Sequence, residues 1–309
     1  MRGILAEHLK PFISNVNQLI HQAKIDNIVP TPELARERLA MLSALVTQIP
    51  ELSYVADQLI TANEQSVPVR VYSPAPEQAL PVLIYYHGGG HMCGDIELYE
   101  PMCRKIAIAG NCIVVSVNYR LAPEFPYPCG LQDAQLVLEN INQALNAVRH
   151  TEQLMIAGDS AGGAICTSLV MQPATTANRT IAKQILIYPS VDYTLSHPSI
   201  DENGQGFFLE KARIQWYFEH YFQHGEEPRS VSPLFNPINQ CSPSTLIIVA
   251  GCDPLRDEAL AYAAKLKQAK VPVQVEHYPN MIHAFMNIED IVPNECAMLF
   301  QQIGTFIQQ

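Results

Sequence analysis

Four short stretches of this chain carry residue types and spacings suited to acyl transfer. The first is Gly158-Asp159-Ser160-Ala161-Gly162. It reads G-x-S-x-G, follows the apolar run 154–157 and precedes a helix-like run at 163–170. A serine on a strand–sharp turn–helix connection has its hydroxyl lifted clear of the sheet, where a base can reach it. Glycines flank it because a Cβ at either place would crowd so tight a turn. The second stretch is His87-Gly88-Gly89-Gly90, at the end of the apolar run 82–86. Attack on a carbonyl puts charge on its oxygen, and amides of consecutive glycines can approach that oxygen closely. The amides of Gly88, Gly89 and Ala161 are the expected donors. A phosphate cradle or a plain glycine turn would read the same way in isolation. The acid and histidine downstream favour the oxyanion role.

The acid is read as Asp253, at the carboxyl end of the buried-strand pattern 246–250, where open α/β sheets place their chemistry. Asp-Pro is also a helix start, and Asp257 is a rival four residues on; a helix would aim Asp257 elsewhere. The base is read as His283, in the loop after the strand-like run 271–278, in preference to His277 within that run. The order is then Ser160, Asp253, His283. In this reading His283 takes the serine proton and Asp253 holds the imidazole tautomer.

These stretches, with Gly94-Asp95, Cys103-Arg104-Lys105-Ile106-Ala107, Asn118-Tyr119-Arg120-Leu121-Ala122-Pro123-Glu124, Ser232-Pro233-Leu234 and Asp253-Pro254-Leu255-Arg256-Asp257-Glu258, give the chain a family likeness. It resembles the hormone-sensitive-lipase-like carboxylesterases of the α/β-hydrolase superfamily, over residues 67 to 285. The resemblance implies a serine carboxylesterase acting on small-molecule esters through the residues named above, with no metal and no organic cofactor. It also implies a homodimer through the last strand's edge. Three positions depart from the family pattern. His91 stands where an aromatic residue is usual, and Asn118 where Asp is common. In the histidine loop Asn280 is the nearest stand-in for a missing glycine, and Ala284 replaces another. Asn tolerates left-handed backbone; His91 bears on substrate choice.

Two other readings stay open. An amidase or deacetylase could use the same triad, and residues alone do not separate ester from amide. A ligand-binding protein without catalysis could share the scaffold, as plant gibberellin receptors do, but those lack the histidine.

The net charge of −11 argues against nucleic acid, which needs clustered Lys and Arg. No stretch is apolar for long enough to span a bilayer, and the first ten residues interleave charges with apolar side chains, unlike a secretory signal. Eight cysteines, at 93, 103, 112, 129, 166, 241, 252 and 296, form no C-x-x-C, so reduced thiols and a cytoplasmic location are expected. Cys93 and Cys252 are read as packing residues. His220 and His224 are four apart but lack the glutamate of a zinc motif, so no metal is expected.

The architecture that must position these groups is a single α/β domain over 1–309. Strand patterns at 81–87, 112–118, 153–157, 184–188, 245–250 and 272–278 alternate with helix patterns near 99–109, 131–148, 256–270 and 294–307. Such alternation predicts a mostly parallel sheet covered on both faces; with the edge hairpin at 52–60 and 67–73, the α/β-hydrolase fold implies eight strands. Helices are expected over 4–24 and from Thr31-Pro32 to about 47. With the insertion at about 190–237 they are expected to form a helical cap. His91, Phe207, Phe208 and Trp216 are the residues expected to line its pocket; glue between cap and body is an equal alternative for any one of the cap aromatics.

Overall fold

The computed structural model describes residues 1–171, 180–238 and 242–309; Cys241 lies outside them. Among the described residues eight strands form one sheet: β1 Tyr54–Ala62, β2 Gln65–Ser73, β3 Leu80–Tyr86, β4 Ile113–Val117, β5 His150–Asp159, β6 Ile181–Ile187, β7 Ser244–Cys252 and β8 Val273–Ile282. Their order is β1-β2-β4-β3-β5-β6-β7-β8. β2 runs antiparallel to both neighbours, and every pairing from β4 to β8 is parallel. The edge hairpin closes on Asn63 and Glu64, both at positive φ (51° and 65°) between the paired Ala62 and Gln65. That is the two-residue turn whose twist matches a hairpin.

β3 shows why the sheet is covered twice. Leu83 and Tyr85 bury in one core. Val82, Ile84 and Tyr86 bury in the other, as the period of two demands. Helix α3, Ile96–Gly110, and the last helix, Pro293–Gln308, contribute to the first core. Helices α4, Cys129–Asn140, and α5, Ala161–Met171, with Arg256–Gln268, contribute to the second.

The N-terminal helices are shorter than the sequence pattern predicts. Residues 1–6 are not helical, a 3₁₀ turn spans Glu7–Leu9, and α1 runs Lys10–Ile25. Ile4 and Leu19 are exposed, and only Leu9 and Ile13 of that segment are buried. Thr31 caps α2, Pro32–Ala40, through its Oγ1, which accepts from Leu34 N–H at 3.2 Å. That helix stops at Ala40 and tightens into a 3₁₀ turn over Met41–Leu45. The pattern near 131–148 likewise ends as α-helix at Asn140. Among the described residues no helix is long and apolar enough to cross a membrane. Phe12 of α1 meets Phe208 from the 190–237 segment, ring centroids 5.9 Å apart.

Candidate active site

Ser160 sits alone between the end of β5 and the start of α5, at φ +51°. Left-handed backbone at a non-glycine residue is costly, and its surroundings hold it there. Its N–H donates to Ile187 O at 2.9 Å and its carbonyl accepts from Ser190 N–H at 3.0 Å. The flanking glycines allow no side chain: a Cβ on Gly162 would lie 1.8 Å from Tyr86 O, and one on Gly158 2.4 Å from Gly162 C.

Asp253 is the residue after β7, and His283 the residue after β8. The structure brings both to the serine. His283 Nε2 lies 2.9 Å from Ser160 Oγ, and His283 Nδ1 lies 2.8 Å from Asp253 Oδ2. A carboxylate only accepts, so Nδ1 carries the proton and Nε2 is bare for the serine hydroxyl to donate to. Asp253 is fully buried and His283 nearly so. Asp253 Oδ1 accepts from Leu255 N–H at 2.8 Å, and Asn203 Nδ2 donates to Asp253 O at 3.0 Å. The rival Asp257 is engaged elsewhere, by Arg256 Nε at 2.7 Å and Ser199 N–H at 3.0 Å. His277 is exposed on β8.

The glycine run requires a correction. The N–H of Gly88 already donates to Asp159 Oδ1 at 2.8 Å, deep in the protein, so Gly88 is not a free donor. Of the glycine run, Gly89 and Gly90 line the cavity that also holds Ser160 and Ala161; Gly88 does not. Neither Gly89 nor Gly90 donates its amide to a backbone or side-chain acceptor among the described residues. Both have positive φ, +113° and +64°. The third glycine of the motif therefore lines the cavity with a free amide, a position that the spacing argument passed over.

The pocket predictions divide. Phe208 and His91 line the cavity over Ser160. Phe207 does not; it is buried, with the Arg2 guanidinium 4.5 Å from its ring centroid. Trp216 is turned away as well, packed on Ala35, Met92 and Cys93. Its neighbours Tyr217 and Phe218 line the cavity instead, along with Leu39. One residue along a helix rotates a side chain by about 100°, and a run of aromatics conceals which of them faces in. Tyr217 rests directly on the glycine loop, since a Cβ on Gly90 would lie 2.5 Å from its Cδ2.

His91 adopts φ +60° and stacks flat on Tyr221, 3.9 Å between centroids. Burial pushes its imidazole down to about 3, and that of His87 down to about 4. Burial raises the Asp159 carboxyl to about 6, against the pull of its hydrogen bonds from Tyr85, Tyr99 and Gly88. The histidine loop also departs from expectation. Asn280 is part of β8, with its side chain donating to Ile4 O at 2.7 Å. The residue in left-handed backbone is Ala284, φ +60°. Among the described residues no cluster of His, Cys, Asp and Glu could hold a metal ion. Cys93 and Cys252 are buried in the core.

A mostly parallel, doubly covered sheet whose strand ends bring a serine, a histidine and an aspartate into one hydrogen-bonded line defines a class of hydrolase, and the comparisons agree. A profile of the alpha/beta hydrolase fold matches residues 83–287. The chain belongs to the α/β-hydrolase family, in its hormone-sensitive-lipase-like branch. It is 33% identical over 270 residues to an ethyl acetate hydrolase of Pseudomonas putida, the match covering 84% of each chain. It is 34% identical over 269 residues to a carboxylesterase of Mycobacterium tuberculosis, again covering 84% of each. A solved ester hydrolase from the metagenome of Lake Arreo superposes with a TM-score of 0.87 at 30% identity, over 98% of both chains.

Proposed function

We propose that this chain is a carboxylesterase that cleaves small esters through an acyl-enzyme on Ser160. The observation that carries the reading is the line from Ser160 Oγ to His283 Nε2 at 2.9 Å and from His283 Nδ1 to Asp253 Oδ2 at 2.8 Å. His283 Nε2 takes the hydroxyl proton as Ser160 Oγ attacks the ester carbonyl carbon. The carbonyl π pair moves onto its oxygen, and the amides of Gly89, Gly90 and Ala161 hold that oxyanion. Asp253 stabilises the imidazolium. The intermediate collapses and the alcohol leaves with the proton from His283. Water then gives a proton to Nε2, its oxygen attacks the acyl carbon, and the carboxylic acid departs as Ser160 regains its hydrogen.

Segments 1–48 and 190–237 form the cap in this reading, and Phe208, Tyr217 and Leu39 bound the acyl site. The cavity is about 90 Å³, well below the roughly 300–1,000 Å³ of pockets that hold drug-sized ligands. Acetyl and butyryl esters fit that volume better than long chains. The seven described cysteines carry no disulfide, which suits work in the reducing cytoplasm. β8 is the sheet's last strand, and we include pairing of two copies along it in the proposal; molar mass in solution tests that part.

The test of the activity is a pre-steady-state assay with p-nitrophenyl acetate and butyrate. The wild type is expected to release a burst of one chromophore per chain and then turn over steadily. Ser160→Ala is expected to fold and give no burst; a normal burst from that variant refutes the assignment.

A further inference from the structure

The elbow motif leaves the residue before its serine free, yet here that position holds a carboxylate with 1% exposure. Asp159 is met by three donors. Its Oδ1 accepts from Gly88 N–H at 2.8 Å and from Tyr85 Oη–H at 2.8 Å, and its Oδ2 accepts from Tyr99 Oη–H at 3.0 Å. A buried charge needs such partners. Nothing in the bond-making chemistry uses this carboxylate, so the structure must hold it there for another reason.

We propose that Asp159 is a positioning residue for the oxyanion site, clamping the Gly88 amide so that the two amides after it face the nucleophile. Two ties fix Gly88. Asp159 takes its N–H, and its carbonyl accepts from His87 Nδ1–H at 2.8 Å. In a trans peptide the C=O and the following N–H point in opposite directions. A Gly88 carbonyl held against His87 therefore aims the Gly89 N–H away from that ring. The clamp also explains why position 88 is glycine although its φ is not positive: a Cβ there would lie 2.3 Å from Asp159 Oδ2. Gly94 completes the seat, because a Cβ at that position would lie 2.7 Å from both Gly88 O and His87 Nδ1. Asp159 thus ties β5 to the end of β3 one residue before the nucleophile. A single side chain sets the relative placement of the attacking oxygen and the anion site.

The inference rests on the esterase reading, and the experiment separates the two. Asp159→Ala, Asp159→Asn, Gly88→Ala and the Asp159→Ala/Gly88→Ala double variant are assayed with p-nitrophenyl butyrate. Rates are expressed per active site, counted by stoichiometric titration with an organophosphonate. Asp159→Ala and Gly88→Ala are each expected to lower kcat by about 10²-fold with KM within about threefold, as loss of transition-state contacts alone requires. The double variant is expected within about threefold of the worse single, because both changes break one contact. Asn keeps an acceptor for Gly88 and Tyr85, so Asp159→Asn is expected within about tenfold of the wild type. An undiminished kcat in Asp159→Ala, losses that multiply in the double variant, or an Asn variant as poor as the Ala variant each overturn the clamp. Should Asp159→Ala fail to fold, Gly88→Ala and Asp159→Asn decide by the same criteria. A wild type that releases no chromophore sinks the esterase reading itself, whereas wild-type turnover with an unimpaired Asp159→Ala sinks only the clamp.

Discussion

The elbow with its glycine loop and the segments proposed as the cap, 1–48 and 190–237, meet at one cavity, but they are built differently. Around Ser160, backbone lies against backbone at separations that exclude any side chain, as at Gly158 and Gly162. In the proposed cap, and where it meets the loop, rings lie against rings: Phe12 on Phe208, Tyr193 edge-on to Phe218, and the loop's His91 flat on Tyr221. Close-packed backbone has one solution and tolerates no added atom. Packed rings tolerate exchange at a modest cost. The half of the site that must hold a charge to tenths of an ångström is built the first way. The half that meets a variable acyl group is built the second way.

The comparison breaks most severely if the elbow accepts a methyl group. Gly162→Ala puts a Cβ 1.8 Å from Tyr86 O and is expected to cost more than about 4 kcal/mol, read as a collapse of the urea midpoint or of the soluble yield. In the cap, two adjacent aromatics are expected to separate cleanly. Trp216→Ala loses packing on Ala35, Met92 and Cys93 and is expected to cost about 2 kcal/mol of stability with an unchanged acyl-length profile. Tyr217→Ala enlarges the cavity and is expected to shift the optimum in a C2 to C12 ester series toward longer chains.

A third test bears on the point where cap and loop touch. His91 is neutral in the fold because burial holds its imidazole down to about 3, while an unfolded histidine titrates near 6.5. Its contribution is therefore complete above pH 6.5 and is lost as the unfolded state takes up a proton below that. Between pH 7 and pH 5 the wild type is expected to lose about 2 kcal/mol through this residue. His91→Phe keeps a ring against Tyr221 and is expected to remove that component from urea midpoints measured at the two pH values. The smallest effect belongs to the histidine loop. Ala284→Gly relieves a φ of +60° against glycine's greater chain entropy, for an expected gain of about 0.5 kcal/mol, measured by calorimetry.

What was legible in the sequence follows the same division. Ser160, Asp253 and His283 each stand immediately after a strand, so finding three strand ends was enough to place them at one edge of a parallel sheet. The glycine run marked the loop, but which amides are free depends on Asp159, 71 residues away in the chain. No local pattern carries that. In the cap, Phe207 and Phe208 are neighbours with opposite fates, and Phe208 takes φ +77°, a turn that helical or strand periodicity does not anticipate. Trp216 and Tyr217 exchange roles through one step of helix rotation. α2 ends at Ala40 although apolar spacing continues, because tertiary packing of Leu42 and Val46 overrides a helical repeat.

The central claim is that His283 activates Ser160 and no other nucleophile. Mass spectrometry after exposure to diethyl p-nitrophenyl phosphate tests it most directly. The account predicts one diethylphosphoryl group, on the peptide bearing Ser160, formed at least about 10³ times more slowly in His283→Ala. A label on any other residue, or equal labelling with and without the imidazole, would contradict it.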